Sequence, residues 1–127
     1  MAGQSEPKQL KPVGWIGSSR ADLATFPPRV RRVFGHALYM AQAGEKSPLA
    51  KPLRGFGGGG VLEIVESFDG SAYRVVYTVK FAKALFVLHS FQKKAKRGVA
   101  TPQFEVDSIV KRLKDARVRY QRLYGAE

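Results

Sequence analysis

Asp69-Gly70 stands between two strand-like runs, Val61 to Ser67 and Ala72 to Val79, and this arrangement constrains the chain more than any other feature. An Asp-Gly pair accepts the positive φ angles of a two-residue turn whose twist matches that of the strands it joins. The two runs are therefore expected to pair as an antiparallel hairpin, and a third run, from about Leu85 to Phe91, extends it. In the middle strand Tyr73, Val75, Tyr77 and Val79 share one face, while Arg74, Val76 and Thr78 share the other. Arg74 is thus a cation at the centre of a sheet, with Glu63 or Glu66 on the neighbouring strand as possible partners. By the same alternation His89 shares a face with Leu85, Val87 and Phe91, an apolar setting that predicts a packed imidazole.

Helical periodicity flanks the sheet. Val13 to Gly17 is a short strand candidate, after which Ser18 or Ser19 caps a brief helix. Asp22, three residues beyond Ser19, completes a capping-box-like pattern. Pro27 and Pro28 end that helix, and Pro28 suits the first turn of a second one. There Val30, Val33, Phe34, Ala37, Leu38 and Ala41 recur at steps of three and four until Gly44. Thr101 and Pro102 read as the N-cap and first residue of a last helix, which buries Val106, Ile109, Val110, Leu113, Ala116, Tyr120 and Leu123. Gly57 to Gly60 lacks the Gly-Lys-Ser/Thr ending and the following helix of a P-loop, so it reads as a flexible connection. The expected fold class is α+β: an N-terminal helical hairpin and a C-terminal helix packed on an antiparallel sheet of about four strands. Residues 1–11 read as a loose N-terminal tail and 12–127 as a single domain.

Charge narrows the function. Ser71 to Ala100 holds seven cations (Arg74, Lys80, Lys83, Lys93, Lys94, Lys96 and Arg97) and no acid. Solvated faces ordinarily mix both signs. The run is therefore expected to concentrate a positive field at one sheet edge, and the chain's net charge of +12 points to a polyanionic partner. With no cysteine, disulfides, thiolate metal sites and thiol nucleophiles are excluded. His36 and His89 are far apart with no acidic cluster near either, so neither a metal nor another cofactor is expected. No apolar run approaches the roughly 18 residues of a membrane span, and Met1 to Lys11 lacks the apolar stretch of a secretory signal. A cytoplasmic location is the expectation.

Four ordered segments carry a family resemblance. Tyr73-Arg74-Val75-Val76-Tyr77-Thr78-Val79 resembles the Y-R-x-x-Y-x-V strand of the RelE/ParE toxin superfamily. Leu88 to Lys94, followed by Thr101-Pro102, is similar to a signature of its HigB-like, phage-derived branch. Lys51 to Gly55 and Val61 to Ile64 match two further segments of that branch. The resemblance implies a RelE-like fold and the toxin of a type II toxin–antitoxin system. Such a toxin is a metal-independent endoribonuclease that cuts messenger RNA, commonly on the ribosome. A cognate antitoxin, usually a helix-turn-helix protein, neutralises it.

Carried over by position, Arg74, Lys93, Lys94 and His89 are the implied catalytic residues. Beside these, the charge reading gives Lys80, Lys83, Lys96 and Arg97, with Arg54, as expected RNA contacts, while Tyr77 and Phe91 are expected either to stack on bases or to pack in the core. A departure accompanies the match. Only Tyr120 and Tyr124 follow the basic pair, where RelE itself carries a tyrosine, so the general acid and base stay open. Two alternatives stand beside this reading: a ParE-like toxin that poisons DNA gyrase, and a non-enzymatic phage protein that binds nucleic acid.

Overall fold

In the computed structural model, which describes residues 9–57, 60–94 and 101–125, Asp69 and Gly70 take φ values of 51° and 81°. Both are positive, as the tight turn requires. The turn joins β3 (Val61–Phe68) to β4 (Ser71–Thr78), and β5 (Leu85–Lys94) pairs antiparallel with β4. The expected hairpin is present and extended.

The sheet has five strands rather than about four, in the order β1-β5-β4-β3-β2. The two outer strands come from segments distant in sequence, and of these only β2 was not expected. β1 (Val13–Trp15) lies parallel to β5, with Val13 opposite Leu85 and Trp15 opposite Val87. Gly14 makes that approach feasible, because a Cβ there would stand 2.5 Å from the Phe86 ring. β2 (Lys51–Pro52) adds antiparallel to β3. β4 is consequently the central strand, and because β1 pairs only with Leu85, Phe86 and Val87, the rest of β5, Lys93 and Lys94 included, forms an edge of the sheet.

Helices α1 (Ser19–Ala24) and α2 (Pro28–Gln42) cover one face, and α3 (Gln103–Tyr124) covers the other. The α2 stripe is buried as its spacing predicts, with Val30, Phe34, Ala37, Leu38 and Ala41 against Ile64, Tyr73, Val75 and Tyr77. On the opposite face Ile109, Ala116 and Tyr120 of α3 meet Val61, Val76, Phe86, Leu88 and Phe91. Val110 and Leu123, expected inside, are 39 % and 63 % exposed. Val110 is turned about 100° from Ile109, and the inward side of the final turn is taken by Tyr120 and Tyr124.

Lys111, Lys114, Arg117, Arg119 and Arg122 crowd the outside of α3. Like charges one turn apart cost about 0.2–0.5 kcal/mol per pair, whereas each large apolar side chain buried contributes about 1.5–3 kcal/mol. Burial therefore decides that α3 stays docked. Among the described residues no helix is long and apolar enough to cross a membrane.

Three local expectations are corrected. Ser18, one of the two expected caps, occupies the N-cap of α1, but its Oγ donates to the Asp22 carboxylate at 2.7 Å and the expected Ser19–Asp22 capping box does not form. Ser19 is fully buried and donates to the Val87 carbonyl instead. At α3 the N-cap is Pro102, whose ψ of 150° is not helical, which leaves the Thr101 side chain free for other partners. Lys11 is bound at both its N–H and its carbonyl by Gln42, so it is tied to α2 and is not part of a loose tail.

One irregularity matters most for function. Val76 faces His89 across the β4–β5 ladder while Tyr77 faces Val87, so Leu88 is an extra residue in β5. Such a bulge reverses the alternation beyond it. Leu88 packs on the α3 side, and the next residue, His89, reaches that side too.

Candidate active site

Arg74 projects from β4 towards the N-terminus of α3. Its Nη1 lies 3.3 Å from Oε2 of Glu63 and 3.4 Å from Oγ1 of Thr101. The cross-strand partner is thus Glu63, a diagonal neighbour on β3, whereas Glu66 faces Tyr73. The pair is only part-buried, with 13 % of the Arg74 and 19 % of the Glu63 side chain exposed. It lines a cleft of about 620 Å³ whose walls also carry Lys51, Arg54, Thr101 and Gln103. Three cations face one carboxylate there, so the cleft is electropositive by two charges.

The guanidinium has capacity to spare. Of its five N–H donors, those on Nη1 make both protein contacts, and Nε–H is buried with no partner among the described residues. An orphaned buried donor costs about 1–3 kcal/mol. The site thus holds a planar cation ready for further acceptors, beside a carboxylate and above two more cations.

His89 stands apart from this cleft. Arg74 is opposite Phe91 in the ladder, and the Phe91 ring stacks on His89 at 4.9 Å. Both imidazole nitrogens are engaged from α3: Nε2 meets Glu105 at 2.6 Å, and Nδ1 meets Nη1 of Arg112 at 2.8 Å. A guanidinium can only donate, so Nδ1 accepts and Nε2–H donates to Glu105. The expected apolar, packed environment is replaced by a polar one, because the bulge at Leu88 turns His89 to the other face. With neither nitrogen free, His89 is a fastener between β5 and α3 and has no lone pair for a substrate.

Four of the expected RNA contacts, Lys80, Lys83, Tyr77 and Phe91, do not join the cleft. Lys80 and Lys83 sit in the β4–β5 connection, beyond the end of β4 at Thr78, which is itself about 13 Å from Arg74 at some 3.3 Å per residue. Lys83 Nζ lies 5.9 Å from the Tyr124 ring centroid. Phe91 and Tyr77 are core residues, 7 % and 0 % exposed, which removes them from base stacking. The ladder sets Lys93 opposite Ala72 and Lys94 opposite Ser71, at the Arg74 end of β4. Their side chains, with Lys96 and Arg97, lie outside the described residues. Arg54 is in the cleft as expected. Lys51, Thr101 and Gln103 were not foreseen as site residues, and Glu63 was foreseen only as a partner for Arg74.

Burial gives Tyr77 a different consequence. Its hydroxyl has no hydrogen-bond partner among the described residues, and burial pushes the phenol up from 10.0 to about 12. The unfolded chain releases this proton near pH 10, while the folded chain holds it to about pH 12. Stability is therefore whole below pH 10 and falls by about 2–3 kcal/mol in total as pH rises to 12. Urea titrations across that range check it, and a decline of equal size in Tyr77→Phe would assign the effect elsewhere.

The family described as "Phage derived protein Gp49-like (DUF891)" matches residues 21–114. Among solved structures, the toxin–antitoxin complex RelBE2 from Mycobacterium tuberculosis contains a chain 20 % identical to this one. That match covers 70 % of this chain and 98 % of the other, with a TM-score of 0.44. No curated protein matches the chain.

Proposed function

Because the chain belongs to the Gp49-like family of phage-derived proteins, we propose that it is the toxin of a type II toxin–antitoxin system and cuts messenger RNA at the Arg74 cleft. The observation that carries this reading is the Arg74–Glu63 pair, with unspent guanidinium donors, in an electropositive cleft. The four sequence segments that resemble the HigB-like branch agree with it.

RNA supplies its own nucleophile, the 2′-OH, so the protein needs neither a metal nor a covalent intermediate. Arg74 grips the scissile phosphate, and its grip tightens as negative charge accumulates on the equatorial oxygens. Lys51 and Arg54 hold the adjoining phosphates. Once Arg74 turns to the phosphate, the Glu63 carboxylate is freed to take the 2′ proton. The 2′ oxygen bonds to phosphorus as the bond to the 5′ oxygen breaks, and Lys93 or Lys94 protonates the departing oxygen. A messenger held bent by the ribosome enters this geometry with part of its orientation already set. A helix-turn-helix antitoxin with an acidic segment is the proposed inhibitor of the cleft.

The test is cleavage of defined RNA, free and on purified ribosomes. Products are expected with 2′,3′-cyclic phosphate and 5′-hydroxyl ends, and a single 2′-deoxy substitution at the cut site should block the reaction. Tight RNA binding without product would leave a binding protein in place of the nuclease.

A further inference from the structure

The cleft leaves a second cationic surface unexplained. From Leu23 to Gly44 the chain contains no acid, yet α2 exposes Arg29, Arg31 and Arg32. No ion pair among the described residues engages any of the three. Arg29, Arg32, His36 and Tyr39 follow at steps of three and four, so they line one outward stripe about 15 Å long. Gly35, beside that stripe, is open ground: a Cβ there would meet nothing within 4 Å. The inner side of α2 is committed to the core, on the sheet face opposite Arg74.

Like charges packed this closely repel one another, and an anionic partner would relieve them beyond what water and salt do. Protein interfaces draw on an apolar centre, but the exposed large apolar residue on this stripe is Tyr39 alone, at 54 %. A membrane-surface helix needs a free apolar side to insert, and that of α2 is buried. What remains complementary is a phosphate backbone, which the arginine fork matches in pairs of hydrogen bonds. We propose that the outer stripe of α2 is a second nucleic-acid surface that grips the phosphates of double-helical RNA, separately from the cleft. RNA rather than DNA follows from the reading that the cleft takes RNA, and the inference rests on that reading to this extent.

The test is fluorescence anisotropy with an RNA hairpin over a series of NaCl concentrations. In R29A/R32A, affinity near physiological salt falls about tenfold, and the slope of log K against log salt flattens by about 2, one unit per lost phosphate contact. R29K/R32K keeps the slope and recovers part of the affinity. Melting temperature and cleavage of a short single-stranded RNA stay at wild-type values in both variants.

Unchanged hairpin affinity and slope in R29A/R32A would overturn the proposal. So would a loss seen only with a polyglutamate peptide or phosphatidylserine vesicles, or wild-type preference for the DNA hairpin of the same sequence. If the wild type cuts no RNA but R29A/R32A still loses hairpin binding, the nuclease reading fails and this surface stands.

Discussion

Arg74→Ala lowers single-turnover RNA cleavage by about 10²–10³-fold, the effect of removing one preorganised donor from a developing oxyanion. The loss falls on the chemical rate more than on binding, because Lys51 and Arg54 still line the cleft, where the proposed mechanism has them hold the RNA's phosphates. Arg74→Lys recovers little, since an ammonium has no fork to span two oxygens. Folding gives no alternative explanation for the loss. The Arg74–Glu63 contact is single and part-exposed at 3.3 Å, and its removal also eliminates the orphaned Nε–H. The variant should melt within a few degrees of the wild type. A cleavage rate within threefold of wild type would take Arg74 out of the mechanism.

That residue was legible in the sequence because everything placing it is local. The Asp69-Gly70 turn sets the β3–β4 register, and the register makes Glu63 a diagonal neighbour of Arg74. Helix α2 was legible for the same reason, its stripe repeating over about three turns. The cleft was not. Its walls come from β2, β4 and the start of α3, and the pairing of Lys51 with Glu63 depends on a two-residue strand with no periodicity to announce it. The parallel docking of β1 is equally non-local.

His89 failed for a sharper reason. Alternation assigns it correctly only if β5 is regular, and the extra residue at Leu88 carries no glycine or proline to mark the bulge. The displaced histidine then finds Glu105 and Arg112, whose spacing of seven puts them on one side of α3. Read backwards, that pair of ionic residues on the inner flank of α3 was the available signal that a polar partner waits on the sheet.

Arg112 is the centre of this fastening, and Arg112→Met should be the most destabilising single change outside the apolar core. Nη1 donates to the Leu88 carbonyl at 3.1 Å and to His89 Nδ1 at 2.8 Å, while Nη2 donates to Ser18 Oγ at 3.2 Å. Ser18 continues the chain to Asp22, so one guanidinium ties α3 to the bulge and to α1. Methionine keeps most of the side-chain volume, which isolates the polar loss from a cavity effect. It strands the Leu88 carbonyl and His89 Nδ1 in a part-buried site, at about 1–3 kcal/mol for each group left unsatisfied. A combined loss of about 3 kcal/mol lowers the melting temperature of a domain this size by on the order of 10 °C. Arg112→Lys restores one donor and should recover part of that. Because the loosened helix begins at Gln103, amide exchange should quicken from there to Ile109, and cleavage should fall as Thr101 and Gln103 lose their place around Arg74. A melting temperature within 2 °C of wild type for Arg112→Met would show that the bulge holds its shape without the guanidinium.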